Sequence, residues 1–247
     1  MKKILEIKNV TLTYYTLTDE ITALKNLSFC VNDGDFLSII GPSGCGKTTI
    51  LSLIAGLLKP TDGKIQFNTE NTNKNLGYML QKDQLFPWRT IEKNVFLPLE
   101  IKGKVSKDDK NYALSLLDKY GLGDFKKSYP DRLSGGMRQR VALIRTLSSK
   151  PNLLLLDEPF SALDSQTRLS VCDDVYKIIK NEKKTAILVT HDISEAISMS
   201  DVIVVLTERP ATVKSIYKPN LTGETPLKRR ESKDFGALFE KIWKELH

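Results

Sequence analysis

The sequence predicts an α/β fold in which a mainly parallel sheet is covered by helices on both faces. Strands that are buried on both faces are continuously apolar, and four short runs of this kind occur. They are residues 36–40, 153–156, 186–189 and 202–206. Segments with apolar residues at helical spacing lie between them, at residues 47–58 and 165–183. Such an alternation of strands and helices is typical of a doubly wound α/β core.

Two regions depart from this alternation. Residues 90–148 are predicted to form an inserted α-helical subdomain, in which Ser106 is a candidate N-cap and Gly121 a candidate helix end. Residues 1–31 contain short apolar runs with polar interruptions, which indicates an N-terminal antiparallel β subdomain. The candidate strands there are residues 4–7, 10–14 and 27–31.

Composition limits the class of protein. The chain has 247 residues, 40% hydrophobic and 27% charged, which suits a globular protein with a sizeable core. Its three cysteines lack any C-x-x-C spacing, so we expect neither a disulfide framework nor a zinc site. No apolar stretch approaches the roughly 18 residues of a membrane-spanning helix. The net charge of +7 is spread evenly and is interpreted as a lysine-rich surface, although nucleic acid or an anionic membrane would also suit it.

The chain is predicted to comprise one main domain, residues 1–220, and a C-terminal tail, residues 221–247. The tail contains apolar residues at helical spacing, which predicts an amphipathic helix. Three interpretations of this helix stay open: it packs on its own domain, docks on a partner subunit, or lies on an anionic membrane. The mixed charge of its polar face weakens the membrane interpretation. The apolar residues are Phe235, Leu238, Phe239, Ile242, Trp243 and Leu246.

Residues 41–48, Gly-Pro-Ser-Gly-Cys-Gly-Lys-Thr, match the phosphate-loop pattern G-x-x-x-x-G-K-[ST] between an apolar strand and a helix. The glycines allow backbone N–H groups to converge on an anion at the helix N-terminus. Lys47 is predicted to reach the β- and γ-phosphates of ATP, and the Thr48 hydroxyl to bind Mg²⁺. The core is therefore predicted to be that of a P-loop NTPase. Its predicted nucleotide-binding residues are Gly41, Pro42, Ser43, Gly44, Cys45, Gly46, Lys47, Thr48 and Thr49.

Two carboxylates follow the apolar run at residues 153–156. Asp157 and Glu158 would lie at the C-terminal edge of the sheet, where ligands bind in open α/β folds. Asp157 suits the Mg²⁺ shell, and Glu158 suits a base that orients and deprotonates the attacking water. Alone, such a pair would more often begin a helix. Together with the phosphate loop, it predicts a site for nucleoside triphosphate hydrolysis.

Residues 133–140, Leu-Ser-Gly-Gly-Met-Arg-Gln-Arg, resemble the signature motif of the ABC ATPase family. Other family motifs occur in the expected order: Gln81 stands at the Q-loop position, residues 161–164 match the D-loop, and His191 matches the switch histidine. Tyr14 stands where the family stacks an aromatic ring on adenine, and Tyr15 is a weaker candidate. Each residue has an ordinary structural explanation when taken alone, but their joint order identifies the family. The resemblance covers roughly residues 4–217.

The sequence departs from the family pattern at two places, residues 79–81 (Met-Leu-Gln) and 144–146 (Ile-Arg-Thr). Both departures are interpreted as packing variants that leave the catalytic positions unchanged.

The resemblance implies an ATPase that uses ATP and Mg²⁺ and acts as a homodimer. In the family, the signature motif of one subunit contacts the γ-phosphate bound to the other, so two chains enclose two ATP molecules. By this resemblance the catalytic residues are Glu158, His191 and Lys47, and the metal ligands are Thr48, Gln81 and Asp157. ATP contacts beyond the phosphate loop would come from Tyr14, Gln81, Ser134, Gly135, Gly136 and Asp164.

The resemblance further implies the ATP-hydrolysing subunit of a bacterial importer. The helical region is too compact for the coiled coils of chromosome-structure relatives, and one ATPase domain differs from the two of translation-factor relatives. Residues 85–88 (Leu-Phe-Pro-Trp) and 207–210 (Thr-Glu-Arg-Pro) look like the nitrate/sulfonate/taurine importer branch. The first of these motifs also suits simple packing between subdomains.

The implied partners are a second copy, two transmembrane permease subunits and, indirectly, an extracytoplasmic solute-binding protein, with no nucleic acid. The chain would then lie peripherally on the cytoplasmic face of the cell membrane. An exporter ATPase and a nucleic-acid- or ribosome-linked ABC ATPase remain the alternatives. The transported solute is not predicted, because the membrane subunits and the binding protein select it.

Overall fold

The computed structural model describes residues 2–16, 18–68, 75–103 and 105–246, so Met1 and His247, the outer limits of the predicted domain and tail, lie outside the described residues. It shows an α/β fold with two sheets. The larger sheet is parallel through five strands and ends on one antiparallel strand. Its spatial order is β5 (Leu76–Met79), β6 (Leu153–Asp157), β7 (Thr185–Val189), β3 (Phe36–Ile40), β8 (Val202–Leu206) and β9 (Val213–Tyr217).

The smaller sheet is antiparallel and lies at the N-terminal part of the chain. Its strands, in spatial order, are β2 (Glu20–Asn32), β1 (Lys3–Tyr15) and β4 (Asp62–Phe67). Every residue of β3, β6 and β7 is buried, whereas β1 and β2 contain both buried and accessible residues and every residue of β4 is at least partly accessible. This contrast arises because helices cover both faces of the parallel sheet. The predicted fold class is confirmed.

Eight α-helices occur in the described part of the chain. The helices at Ile91–Ile101, Lys107–Lys119 and Gly135–Ser148 form the inserted helical region and pack on one another, and the third of them is central. Ser106 caps the second, since its hydroxyl accepts a hydrogen bond from the N–H of Asp109 at 3.0 Å. The helices are α1 (Lys47–Ala55), α2 (Ile91–Ile101), α3 (Lys107–Lys119), α4 (Gly135–Ser148), α5 (Ser165–Asn181), α6 (Ile193–Met199), α7 (Pro226–Arg229) and α8 (Lys233–Leu246).

The strand boundaries differ from those predicted. The runs at 4–7 and 10–14 belong to a single strand, β1, because the polar residues between them form an irregularity in its pairing with β2. Asn9, within that irregularity, has a φ of 48°. Such bulges insert extra residues without ending a strand. The helix predicted at 47–58 ends earlier, at Ala55, because Gly56 takes the left-handed conformation that terminates helices.

The tail helix α8 packs against its own chain. Ile242 is fully buried in a cluster with residues of α6 and β8, including Ile193 and Val205. The Glu245 carboxylate accepts hydrogen bonds from the hydroxyls of Ser215, at 2.5 Å, and Tyr217. Apolar burial and these hydrogen bonds hold the helix on β9 and α6. Among the described residues, no helix is both long and apolar enough to cross a bilayer.

Candidate active site

The loop at residues 41–48 connects β3 to α1 and has a backbone that glycine makes possible. Gly44 and Gly46 have φ values of +74° and +116°, in the left-handed region that other residues rarely adopt. A Cβ atom at Gly46 would also approach a methyl carbon of Leu24 to 3.0 Å. Gly46 is the N-cap of α1, so the loop directs backbone N–H groups at the position where a helix N-terminus attracts an anion.

Lys47 lies inside this loop and is only 7% exposed. Its Nζ donates hydrogen bonds to the carbonyl oxygens of Gly41, at 2.8 Å, and Pro42, at 3.0 Å. The loop therefore satisfies its own buried cation. A phosphate group would replace these neutral acceptors with charged ones, which form stronger hydrogen bonds to an ammonium group.

A cavity of about 550 Å³ opens over the loop. It brings together cationic, hydroxyl and carboxylate groups with the glycine backbone. These are the groups that a Mg²⁺-bound polyphosphate requires. The lining residues are Ser43, Gly44, Gly46, Lys47, Thr48, Thr49, Glu158, His191 and Arg209.

Asp157 ends β6 and lies beside the helix that follows the loop. Its Oδ1 accepts a hydrogen bond from Thr48 Oγ1 at 3.0 Å, and its Oδ2 accepts one from Tyr78 Oη at 3.2 Å. Burial raises the pKa of the Asp157 carboxyl, because a charged group loses solvation there, and the two hydroxyls partly oppose this effect. The hydroxyl and carboxylate predicted to bind one metal ion are thus in direct contact.

Glu158 is the point where three sequence motifs meet. Its Oε2 lies 3.1 Å from His191 Nδ1 and 3.5 Å from Gln81 Nε2, the latter at the limit for a hydrogen bond. Gln81 Nε2 also donates to the Ser161 hydroxyl at 3.2 Å. Glu158 has a φ of 43°, a left-handed conformation that is uncommon for residues other than glycine and concentrates at functional sites.

The segment after β7 carries His191 on a hydrogen-bonded turn. Glu195, only 3% exposed, accepts a hydrogen bond from the Thr190 hydroxyl at 2.6 Å. Asp192 caps α6 through the N–H of Glu195 at 3.0 Å. Loss of solvation raises the pKa of Glu195 to about 7, with a smaller contribution from the nearby Asp192 charge. The turn is therefore supported by a buried carboxyl that titrates near neutral pH.

The signature residues lie away from this cavity. Ser134 caps α4 by accepting a hydrogen bond from the N–H of Met137 at 3.3 Å. Ser134 and Gly136 line a separate cavity of about 300 Å³ between α4 and α5. Asp164 caps α5, and Tyr14 is 41% exposed on β1; neither residue lines the phosphate cavity. The chain thus brings together the phosphate-loop, carboxylate and switch residues, but not the signature or the aromatic residue.

Sequence reasoning assigned no site role to three residues that the structure brings to this region: Tyr78, Glu195 and Arg209. Tyr78 donates a hydrogen bond to the predicted metal ligand Asp157, and Glu195 accepts one from Thr190, the residue before His191. Only the fold reveals these contacts. Arg209 belongs to a motif that had been used only to identify a branch of the family. Arg209 lies three residues after the buried parallel strand β8, and a basic residue in such a segment is the signal that would have marked it as a candidate.

Comparison with known proteins agrees with this geometry. The family profile described as ABC transporter matches residues 24–161, which is more than half of the chain. The chain therefore belongs to the ABC transporter family. Within that family it is an ATP-binding subunit, and it is an ATPase.

Individual relatives cover nearly the whole chain. It is 49% identical to the uncharacterized ABC transporter ATP-binding protein YtlC of Bacillus subtilis, over 98% of this chain and 95% of the relative. It is 38% identical to the aliphatic sulfonates import ATP-binding protein SsuB of Bacillus anthracis, over 96% of this chain and 93% of the relative. The dimeric ATP-binding cassette MJ0796, in a post-hydrolysis state with ADP and Pi, aligns with a TM-score of 0.72 and 34% identity, over 89% of this chain and 100% of that one.

Proposed function

We propose that two copies of this chain hydrolyse ATP and thereby drive solute uptake through two separate transmembrane permease subunits. The observation that carries the proposal is the 38% identity, across 96% of the chain, to a sulfonate import ATP-binding protein. The geometry of the phosphate cavity supports the hydrolytic part. The similarity to an importer subunit supports the direction of transport.

Each chain would supply one set of reacting groups. Lys47 binds the phosphates after leaving the carbonyls of its own loop, and the loop N–H groups hold the remaining oxygens. Glu158 orients a water molecule and accepts its proton, while His191, 3.1 Å from Glu158, holds the γ-phosphate. Gln81 contacts both Glu158 and Ser161 of the D-loop. A change at Glu158 can therefore be transmitted through Gln81 to the loops beside the cavity.

The residues present fit Mg²⁺. This ion prefers oxygen ligands and usually keeps several water molecules when it binds with phosphate, so few protein ligands are needed. Thr48 Oγ1 and Asp157 Oδ1, 3.0 Å apart, and the amide oxygen of Gln81 are the proposed ligands. Among the described residues, no group of three or more His, Cys, Asp or Glu side chains is arranged to hold a metal ion by itself. When bound, Mg²⁺ would neutralise charge on the phosphates.

The separation of the signature from the phosphate cavity supports a composite dimer site. Ser134 begins α4, so the signature offers a second helix N-terminus for a phosphate. Within one chain it lines a different cavity, as described above. A second copy, facing the first, would bring its Ser134, Gly135 and Gly136 to the bound ATP, with Asp164 beside them. Tyr14, exposed on β1, would stack on the adenine.

The proposed importer belongs to the nitrate/sulfonate/taurine branch and receives its solute from an extracytoplasmic binding protein. The chain would then act at the cytoplasmic face of the membrane, as a domain of residues 1–220 with the tail packed upon it. A permease-facing surface is suggested by the segment after Gln81. Trp88 is 72% exposed there and stacks on Phe86, with ring centroids 5.0 Å apart. An exposed aromatic pair of this kind favours a protein partner.

The test is to identify the membrane proteins that remain bound to the tagged chain after gentle extraction from its native membranes. We expect two permease subunits, and we expect Trp88→Ala to lose them without losing ATP binding. Leu57→Ala, which removes a similarly exposed apolar side chain on another part of the surface, is the matched control and should retain them. Uptake of an aliphatic sulfonate should require the wild-type chain and fail with Glu158→Gln.

Ribosomal or nucleic-acid partners in place of permeases would contradict the proposal. Permeases that support ATP-dependent efflux, with no uptake, would favour the exporter alternative.

A further inference from the structure

A basic residue outside the family motifs lines the phosphate cavity. Arg209 follows β8, and its side chain borders the same space as Ser43, Lys47 and Thr48. The side chain is exposed, so a ligand entering from solvent can reach its guanidinium group. The phosphate loop with Thr49, the proposed base Glu158 and the switch histidine account for the other lining residues. They leave Arg209 without a role.

A hydrogen bond to the phosphate loop fixes the position of Arg209. Its Nη2 donates to the carbonyl oxygen of Gly44 at 2.8 Å. Gly44 is one of the two left-handed glycines of the loop, so this carbonyl belongs to the segment that would enclose the phosphates. A guanidinium group has five N–H donors in a planar fork. One bond to Gly44 therefore leaves donors that can bind a second acceptor.

The turn that carries Arg209 is anchored to the antiparallel sheet. Ala211, two residues further on, is fully buried. Its N–H donates to the carbonyl oxygen of Ala23 at 2.9 Å, and its own carbonyl accepts from the N–H of Lys25 at 3.0 Å. Because β2 holds the turn on both sides of Ala211, the base of the arginine is fixed. Less conformational freedom is then lost when the side chain binds a ligand.

The charge balance of the cavity favours a second cation. ATP carries about four negative charges near neutral pH, and the proposed base, Glu158, lines the same cavity with a carboxyl group. Among the described lining residues, Lys47 is the other permanent cation. A fixed guanidinium group beside it lowers the repulsion between the phosphates and Glu158. Arginine also matches the geometry of phosphate oxygens better than a point charge does.

We propose that Arg209 is a nucleotide-binding residue, whose guanidinium group binds a phosphate oxygen of ATP while it remains bonded to the Gly44 carbonyl. The recognised class is a nucleoside di- or triphosphate, since the contact is with phosphate and not with the base or sugar. This inference rests on the phosphate loop being the ATP site, as proposed above.

The decisive variant is Arg209→Gln. A glutamine amide can still donate to a carbonyl oxygen, but it carries no charge for a phosphate. Loss of one charge-assisted hydrogen bond should weaken ATP and ADP binding about tenfold. Adenosine, which has no phosphate, should bind as to the wild type. The measurement is the Kd of each ligand in competition with a fluorescent ATP analogue, at low and high salt. The salt dependence should be shallower for the variant, because one phosphate-binding charge is gone.

Two further variants sharpen the result. Arg209→Lys keeps the charge without the planar fork, so its Kd for ATP should fall between those of the wild type and Arg209→Gln. Arg230→Gln removes the same charge from a residue that does not line the cavity, and it should bind ATP like the wild type. Unfolding temperatures without nucleotide should be equal in the wild type and the two Arg209 variants, since Arg209 is exposed.

A wild-type Kd for ATP in Arg209→Gln would overturn the proposal. Adenosine binding weakened to the same degree as ATP binding would also overturn it, because Arg209 would then act through the shape of the loop. Lys47→Ala separates this inference from the proposed ATP site. If Lys47→Ala loses ATP and Arg209→Gln does not, the role of Arg209 is wrong and the site stands. If Lys47→Ala also binds ATP normally, the site itself is wrong.

Discussion

The phosphate cavity and the signature region have opposite relations to the rest of their own chain. In the cavity, side chains from four separate segments meet within hydrogen-bond distance, as at Glu158, His191 and Gln81. In the signature region, the Ser134 hydroxyl caps α4, and Ser134 and Gly136 line a different cavity. One half of the proposed reaction centre is therefore complete within a chain, and the other half needs a second copy. Substitutions in the two regions should fail in different ways.

The largest effect is expected in the complete half. Glu158→Gln keeps the size of the side chain and removes its basicity. We expect kcat to fall by about 10²- to 10⁴-fold, as when a general base is lost, because Gln cannot accept the proton of the attacking water. ATP binding should remain near wild type, since the phosphate loop is intact. Steady-state ATPase assays and equilibrium binding measure the two quantities, and wild-type turnover in this variant would contradict the role of Glu158.

Substitution in the incomplete half tests whether the second copy supplies the signature. Ser134→Arg places a bulky cation at the N-terminus of α4, far from the chain's own phosphate cavity. Each chain should still bind ATP through its own phosphate loop. Hydrolysis should fall at least about tenfold, because the bulky side chain would keep the N-terminus of α4 from binding the phosphate held by the facing copy. The comparison of ATP affinity with kcat gives the result, and a large loss of ATP affinity would mean that the signature acts within its own chain.

Mixing the Ser134→Arg chain with a Lys47→Ala chain extends this test. A mixed dimer contains one site with both halves intact, so some ATPase activity should return although neither variant is active alone. Co-purification of differently tagged Ser134→Arg and Lys47→Ala chains serves as the control for subunit exchange. If mixed dimers form and activity does not return, either the composite-site model or the assumption that one intact site suffices is wrong.

A substitution in the tail helix α8 tests whether the tail stabilises the fold and whether it affects ATP binding. Ile242 on α8 is fully buried, so Ile242→Ala should lower the free energy of unfolding by about 2–5 kcal/mol through loss of apolar contact and a remaining cavity. ATP affinity of the folded protein should stay unchanged. Glu240→Ala, at an exposed position of the same helix, is the control and should change stability little. Denaturant unfolding checks both, and an unchanged midpoint for Ile242→Ala would mean that α8 is not packed on the domain in solution.

The smallest expected effect is a pH dependence of the free energy of unfolding, caused by Glu195 on the turn that carries the switch histidine. The fold raises the pKa of Glu195 from its ordinary 4.5 to about 7, so the folded chain retains this proton more strongly than the unfolded one. The contribution of Glu195 to stability is therefore fully present below about pH 4.5 and is lost as the pH rises to about 7. The ionisable groups around it include Arg168, Asp192 and His191.

Glu195→Gln, which cannot titrate, should remove this dependence. The unfolding temperature of the variant relative to wild type should rise by a few degrees, on the order of 2–4 °C per kcal/mol, between pH 5 and pH 8. Scanning calorimetry at both pH values measures the difference. A constant difference would show that Glu195 does not titrate in this range.

Much of the complete half could be predicted from the sequence, because its motifs are short and local. The phosphate loop needs only glycines, one lysine and one threonine in a continuous segment, and Asp157 with Glu158 follows a recognisable buried strand. The contacts between these segments could not be predicted from local patterns. Arg209 bonds to a residue 165 positions away, and such a pair has no signature in spacing or periodicity.

The fold was predictable to a similar degree and for similar reasons. Continuously apolar runs marked β3, β6, β7 and β8, because complete burial leaves a strong compositional pattern. The N-terminal strands were predicted too short, since a bulge at Asn9 looks like a strand end when only polarity is considered. The signature could be recognised only by resemblance. A serine followed by two glycines is also an ordinary helix start, and its proposed function depends on a surface of another copy.

The two tryptophans of the chain lie in different functional regions and are both partly in solvent. Trp88 stands on the segment after Gln81, and Trp243 stands on the tail helix. Replacing either one with phenylalanine leaves a protein with a single native fluorophore, without any added dye. Emission from Trp88 would then report events at the proposed permease surface, and emission from Trp243 would report displacement of α8. The two residues are thus separate intrinsic fluorescence probes. One would report contact with the proposed permease subunits and the other would report movement of the tail helix, each in the assembled complex.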